Sequence, residues 1–266
     1  MSRYRWTICM MLFFATTINY LDRQVLSLTW MDFIAPEFHW TNVHYGKITG
    51  VFSIMYAIGV LFAGRIVDRL DTKKGYLWAI AIWSVGACLH ALCGVITEAV
   101  VGLDSAQALR MAQGVDIVAR ITTVSVSLFM FARSILAIGE AGNFPAAVKA
   151  TAEYFPRKDR GFATSIFNAG ATVGALIAPI TVPLIATRFG WEAAFLLIGA
   201  LGFIWMGFWI FVYKKPEAHP KVNKTELLYI RQDVEDHSVD DVPPGSQTKI
   251  SFWKCFTFRQ TWAFAA

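Results

Sequence analysis

Two adjacent charges of opposite sign interrupt a long apolar run near the start of the chain. Asp22 and Arg23 lie within Trp6–Ile34, a run of roughly 29 residues, which exceeds the ~20 residues that a membrane-spanning helix needs. Both charges would therefore lie near the middle of a bilayer, where each costs on the order of 2.5 to 3.5 kcal/mol. Adjacent residues on a helix point about 100° apart, so we expect each charge to have a partner on another helix or to face a water-filled cavity.

The composition of the whole chain is that of a polytopic membrane protein. Hydrophobic residues make up 56% of the 266 residues and charged residues only 16%, which is too apolar for a soluble domain of this length. The formal net charge of +5 does not indicate nucleic-acid binding, because the basic residues cluster between apolar runs as the positive-inside rule requires. The four cysteines lack metal-ligand spacing, and we predict no metal and no cofactor.

The apolar runs predict an all-α membrane protein in which residues 1–213 form a bundle of six spans. Basic residues flank alternate spans, which places both ends of this bundle in the cytoplasm. Residues 214–256 are polar and predict a cytoplasmic linker with a short helix at Thr225–Glu235, and residues 257–266 read as the start of a seventh span. Gly64–Gly75 is predicted to be a tight cytoplasmic turn, and Thr97–Arg120 an extracytoplasmic excursion that could form a surface helix. The spans are Trp6–Ile34, Tyr45–Gly64, Gly75–Ile96, Thr122–Ala150, Gly161–Ala186 and Ala193–Tyr213.

The fourth predicted span carries two further charges, Arg133 and Glu140. They are seven residues apart, so they project from nearly the same helix face about 10.5 Å from one another. If the first and fourth spans face one cavity, Arg23 and Arg133 are suited to hold an organic acid, since a guanidinium matches a carboxylate and keeps its charge. Asp22 and Glu140 are suited to couple a proton to that acid. The alternative is a pair of interhelical salt bridges that fixes helix register.

Other polar residues in the spans give weaker signals. Tyr20 and Tyr56 are candidate donors to sugar hydroxyl groups, although a tyrosine in a span is more often a packing residue. Asn168 would face the cavity or bond across helices. His90 is a candidate proton relay or a packing residue. Four glycines in the fourth and fifth spans have the spacing that permits close helix approach, namely Gly139, Gly142, Gly170 and Gly174.

Several motifs in the chain resemble those of a known transporter family. The turn Gly64-x-x-x-Asp68-Arg69-x-x-x-Lys73-Lys74 resembles the signature between helices two and three of the major facilitator superfamily, with Asp71 where a glycine is usual. Further motifs resemble the anion:cation symporter branch of that superfamily, and within it the hexuronate and sugar-acid transporters. They are Asn19-Tyr20-x-Asp22-Arg23, Arg133-x-x-x-Ala137-x-Gly139-Glu140-Ala141, Tyr154-Phe155-Pro156 and Phe167-Asn168.

The resemblance implies the N-terminal half of a twelve-helix protein in the bacterial inner membrane. Such a protein works by alternating access between this bundle and a C-terminal six-helix bundle. The expected function is proton symport of a small organic anion, glucuronate or galacturonate, across the lipid bilayer. In this branch Arg23 and Arg133 match residues that hold the substrate carboxylate, and Asp22 and Glu140 match residues that couple protons. The expected cytoplasmic gate comprises Gly64, Asp68, Arg69 and Lys73.

Other functions are compatible with the same residues. Within transport, the substrate would be another carboxylate or the coupling ion would not be a proton. Six helices of this kind could also form a membrane receptor that binds an acid without moving it. An intramembrane enzyme is disfavoured, because the predicted spans contain no paired aspartates, no Ser-Lys arrangement and no His-Glu-x-x-His motif.

Overall fold

A computed structural model describes residues 3–235 and Thr257. The predicted seventh span falls outside the described residues, apart from Thr257. A π-helical turn, Trp30–Ile34, follows the first helix and a 3-10 turn, Pro216–Ala218, follows the ninth. In the described part of the chain the α-helices are α1 Tyr4–Thr29, α2 Ala35–Phe38, α3 Asn42–Leu70, α4 Thr72–Val101, α5 Ala106–Met111, α6 Val115–Glu140, α7 Asn143–Tyr154, α8 Arg157–Phe189, α9 Trp191–Val212 and α10 Lys224–Glu235.

The prediction of an all-helical membrane protein is confirmed. Among the described residues, five helical segments are long and apolar enough to cross a membrane: Asn42–Leu70, Thr72–Val101, Val115–Tyr154, Arg157–Phe189 and Trp191–Val212. Helix α1 has 26 residues and is also long enough. It is less apolar than the other five because Asn19, Asp22 and Arg23 lie within it.

Two predicted boundaries were wrong. Helix α3 continues through most of the expected turn, and only Asp71 separates it from α4. The fourth span is two helices, because the chain breaks at Ala141 and Gly142. The segment Thr97–Arg120 is largely helical, formed by the end of α4, the short α5 and the start of α6. The longer α3 gains backbone hydrogen bonds that a turn of the same sequence would lack.

Close packing of α1 on α8 and of α4 on α6 forms the centre of the bundle. All four glycines singled out in the sequence lie at these or adjoining contacts. A Cβ added at Gly142 would lie 2.6 Å from the Cβ of Ala79, and one at Gly139 would meet the backbone of Trp83. Gly170 and Gly174 lie against the backbone carbonyls of Phe13 and Thr17. Because small residues let two backbones approach closely, these positions fix which faces of the helices meet.

Helix α3 is the least buried of the long helices. Its buried residues are Ile48, Ala63 and Val67, and it contacts α6 more extensively than α4. Large apolar side chains along the rest of α3 are exposed, among them Ile54, Ile58, Leu61 and Ile66. An apolar surface of this length is stable only against lipid or another apolar helix layer.

One end of the bundle collects the start of α1, the end of α9 and helix α10, and we call it the linker end. Glu226 of α10 is fully buried and accepts hydrogen bonds from the backbone N–H groups of Tyr4 and Arg5 at 3.2 and 3.1 Å. The guanidinium of Arg5 also contacts Glu226 at 3.4 Å. The Tyr4 hydroxyl donates to the carbonyl of Val212 at 2.9 Å. The predicted linker helix is therefore present, and it is tied to the first turn of α1.

Candidate anion-binding site

The four intramembrane charges predicted from the sequence lie together in the bundle. Arg23 on α1 donates through Nε and Nη2 to one oxygen of Glu140 on α6, at 2.9 and 2.7 Å. The Glu140 side chain is fully buried, whereas the Arg23 side chain is 26% exposed. The pair joins two helices, which is the arrangement predicted for a charged residue within a membrane span. It ties α1 to α6 through two charge-assisted hydrogen bonds.

Arg133 is buried and incompletely paired. Its Nη2 donates to the backbone carbonyl of Arg23 at 3.2 Å, and its residue is 4% exposed. Its Nε and Nη1 have no hydrogen-bond partner within residues 3–235. A buried charged donor without a partner is costly, because it has lost water and gained no replacement. Arg133 is thus the guanidinium with free capacity for an incoming carboxylate.

Asp22, next to Arg23 on α1, forms no ion pair within residues 3–235. It is fully buried, and neither of its carboxyl oxygens has a hydrogen-bond partner in the described part of the chain. It interacts electrostatically with Glu140, Arg133 and Arg23. Asn19, one helical turn earlier, is also buried without a partner for its side-chain atoms. Arg23 has the expected partner on another helix, and for Asp22 the alternative expectation, that it faces a water-filled cavity, stays a prediction.

Aromatic rings surround the two guanidinium groups. The Cζ of Arg23 lies 5.2 Å from the ring centre of Tyr20, 4.6 Å from that of Tyr56 and 5.4 Å from that of Phe52. The Cζ of Arg133 lies 4.9 Å from the centre of the same Phe52 ring. These distances are within the range of cation–π attraction. Tyr20 and Tyr56 therefore contact a charged residue of the site, and their role as donors to sugar hydroxyl groups stays a prediction.

A prominent open cavity lies elsewhere in the described part of the chain. It has a volume of about 650 Å³ and lies beside the start of α6, where His39, His44 and Thr122 contribute to its lining. None of the four intramembrane charges lines it. We assign the candidate anion site to the four-charge cluster and not to this cavity. The residues that line the cavity include no lysine or arginine, whereas the cluster has two arginines, which keep their positive charge.

Comparison with known proteins identifies the family. Residues 12–265 match the family model of the Major Facilitator Superfamily. The chain belongs to this superfamily. A similar fold is found in a solved bacterial homologue of the human lysosomal transporter Spinster, in its inward-facing and unoccupied conformation. The match covers 97% of this chain and 49% of the length of that structure, with a TM-score of 0.61. The sequence identity is 19%, so the likeness concerns the fold alone.

Curated relatives of this facilitator are sugar-acid transporters. A probable galactarate/D-glucarate transporter of Bacillus subtilis (strain 168) is 30% identical over 92% of this chain and 48% of its own length. The hexuronate transporter of Escherichia coli (strain K12) is 29% identical over 98% of the chain and 52% of its own length. The galacturonate transporter of Dickeya chrysanthemi is 27% identical over 98% and 66% respectively. The chain spans about half the length of most of these relatives, all of which are named as transporters.

The gate residues expected from the facilitator motif lie at the linker end. Asp68 forms an ion pair with Lys149 of α7 at 3.1 Å. Lys73 donates to the carbonyl of Ile210 at 2.6 Å. Arg69 is exposed, and a Cβ added at Gly64 would meet no atom within 4 Å. The contacts of Asp68 and Lys73 connect α3 and α4 to α7 and α9 of this facilitator.

Two candidates from the sequence form no described hydrogen bond or ion pair with the four charges, although His90 interacts electrostatically with Arg133, and one contributor was missed. Asn168 on α8 is exposed, and none of its described contacts joins it to the four charges. His90 is buried, bonds the carbonyl of Gly86 at 2.7 Å and stacks on Phe195. Sequence analysis did not single out Phe52. Its spacing of four residues from Tyr56 was the available signal, because such residues share a helix face.

Proposed function

We propose that the full-length protein imports a small organic anion, in particular a hexuronate such as glucuronate or galacturonate, by proton symport with alternating access. The observation that carries the proposal is the state of Arg133, a buried guanidinium with two unpaired nitrogens beside the Arg23–Glu140 ion pair. A carboxylate is the complement of a guanidinium in charge and geometry. The names of the sugar-acid relatives support this class of substrate.

Proton coupling follows from the charge balance of the site. Arg23 and Arg133 supply two positive charges, and Asp22 and Glu140 supply two negative charges. A monocarboxylate that enters this buried cluster leaves one net negative charge, which a low-dielectric interior disfavours. One proton taken up by Glu140 or Asp22 restores neutrality. Each substrate carboxylate would therefore bring at least one proton.

Glu140 and the substrate carboxylate compete for the same cation. Glu140 occupies Nε and Nη2 of Arg23 in this structure. Protonation of Glu140 removes its charge and weakens both hydrogen bonds, since bonds between charged groups are roughly twice as strong as neutral ones. Arg23 then becomes available to the substrate beside Arg133. This competition links proton binding to acid binding without any movement of the backbone.

The arrangement in the membrane is part of the same proposal. We place the linker end in the cytoplasm, because it carries most of the basic residues that flank the spans. The gate would involve Gly64, Asp68, Arg69 and Lys73 at that end. A C-terminal six-helix bundle would cover the exposed apolar face of α3 and complete the cavity around the four charges. Lipid would contact the remaining apolar surface.

The test is uptake of labelled glucuronate and galacturonate by proteoliposomes that contain the full-length protein, with and without an inward proton gradient. We expect gradient-driven uptake by the wild type and its loss in Arg133→Ala. The matched control is Arg188→Ala, which changes an exposed arginine in the last turn of α8. This variant should transport normally. Absence of uptake of both acids by folded protein would disprove the hexuronate assignment. Normal uptake by Arg133→Ala would return that residue to a structural role.

A further inference from the structure

Phe52 is the aromatic residue shared by both arginines of the candidate site. Its ring centre is 5.4 Å from the Cζ of Arg23 and 4.9 Å from the Cζ of Arg133. Two guanidinium groups that approach the same ring also approach one another, and like charges repel. The ring must offset part of this repulsion, because the electron-rich face of an aromatic ring attracts cations.

The contacts of Phe52 differ in kind from those of Glu140. A carboxylate that pairs with a guanidinium consumes its N–H donors, as Glu140 does with Nε and Nη2 of Arg23. A ring attracts the charge and consumes no donor. Arg133 accordingly keeps Nε and Nη1 unpaired although it lies beside Phe52. The ring can hold a guanidinium in place and leave its hydrogen-bonding capacity for a ligand.

The position of the Phe52 ring is itself supported. It stacks on Tyr56 one turn later on α3, with ring centres 5.9 Å apart and an angle of 14° between the ring planes. Tyr56 also contacts Arg23, at 4.6 Å from its Cζ. The two rings form an aromatic panel on α3 opposite the charges on α1 and α6. Because α3 has few buried residues, this panel is one of its specific links to the charged helices.

We propose that Phe52 is a positioning residue for anion binding, which holds Arg23 and Arg133 against one ring so that both can address a substrate carboxylate. This inference rests on the proposed function, since it presumes that the two arginines bind the acid. It adds to that function an uncharged residue on a third helix, α3, which sets the distance between the two guanidinium groups. A ring that merely filled space would leave affinity insensitive to its electron density.

The experiment replaces Phe52 in the full-length protein by mono-, di- and trifluorinated phenylalanine. Successive fluorine atoms withdraw electron density from the ring and change its size little, so packing is preserved while cation–π attraction falls. We expect the dissociation constant for glucuronate or galacturonate to rise stepwise, by about threefold to tenfold for the trifluorinated ring. The matched control is the same series at Phe33, a partly buried core residue without a described guanidinium contact.

The outcomes separate this inference from the function on which it rests. Failure of the wild type to bind either acid would overturn the proposed function and this inference together. Binding by the wild type with a flat fluorination series would overturn the role of Phe52 alone. A dissociation constant that falls with fluorination would also overturn it, because the ring would then compete with the acid for the guanidiniums. Phe52→Tyr, which keeps the ring, should retain wild-type affinity.

Discussion

Gly86 of α4 lies directly against Leu136 of α6, so that an added Cβ would stand 2.6 Å from the backbone nitrogen of Leu136 and 2.8 Å from its Cα. This contact falls between Arg133 and Glu140 along α6. The absence of a side chain at Gly86 therefore sets how close α6, with two of the four charges, can come to the centre of the bundle.

Gly86→Ala should destabilise the protein, because the neighbouring atoms belong to the backbone of Leu136 and cannot move aside alone. Overpacking of this kind costs about 1 to 3 kcal/mol. The measurement is the apparent melting temperature of the full-length protein in detergent. The control is Gly207→Ala on α9, where an added Cβ meets nothing within 4 Å, and which should be neutral or slightly stabilising. Equal stability of the two variants would contradict the contact.

Glu140→Gln should separate acid binding from proton coupling. The substitution removes the charged competitor for Arg23, so we expect affinity for a monocarboxylate to increase about tenfold and uptake to stop responding to a proton gradient. Titration of the acid at two pH values and counterflow in proteoliposomes measure these effects. Retention of wild-type gradient dependence would show that Glu140 does not carry the proton.

Glu226→Ala should loosen the linker helix from α1. The carboxylate of Glu226 accepts from the backbone N–H groups of Tyr4 and Arg5 and pairs with the Arg5 side chain. Its removal leaves buried donors without partners, at a cost of about 1 to 3 kcal/mol. Thermal unfolding of the full-length protein is the measurement, with the exposed Asp116→Asn on α6 as control. A melting temperature equal to that of the control would argue against this tie.

Asp71→Gly should stabilise the protein. Asp71 connects α3 to α4 with φ 71° and ψ 150°, a region that is essentially reserved for glycine and costs about 1 to 3 kcal/mol for other residues. The substitution also removes the bond that the Asp71 side chain accepts from the Thr72 N–H at 2.9 Å, but glycine replaces a capping side chain at a cost of only a few tenths of a kcal/mol. A lower melting temperature for Asp71→Gly would mean that the side-chain contacts outweigh the strain.

Glu37 should make stability depend on pH. Burial raises the pKa of this carboxyl group to about 7, with further increases from Glu192 and Glu98 and opposing effects of the Trp191 N–H and Arg110. The folded state therefore holds the proton more tightly than the unfolded state, whose pKa is the ordinary 4.5. Below about pH 4.5 this stabilising contribution is fully present. The free energy of unfolding then falls as the pH rises from about 4.5 to about 7, by up to about 3 kcal/mol.

Glu37→Gln keeps this position neutral at every pH and tests that dependence. Melting temperatures of the wild type and the variant should diverge between pH 5 and pH 7.5, with the variant the less sensitive to pH. Parallel curves for the two proteins would show that Glu37 is not the titrating group.

Parts of the fold could be predicted because they follow from local sequence. The lengths of the apolar runs are set by the thickness of the bilayer, so the spans of α4, α8 and α9 were recognisable. The break at Ala141 and Gly142 was not, because it interrupts a run that is apolar on both sides. The bounds of α5 could not be predicted either, because its six residues are too few to show a periodic pattern of apolar residues.

The sequence by itself determined that four charges fall within long apolar helical runs and that Arg133 and Glu140 share a helix face, since helical periodicity and run length are local properties. Only the tertiary structure decided that Arg23 pairs with Glu140, that Asp22 stays unpaired, and that Phe52 contacts both arginines. The physical reason is that these relationships depend on the rotation and separation of α1, α3 and α6. Those quantities are set by close packing at residues such as Gly86, far along the chain from the charges of α1.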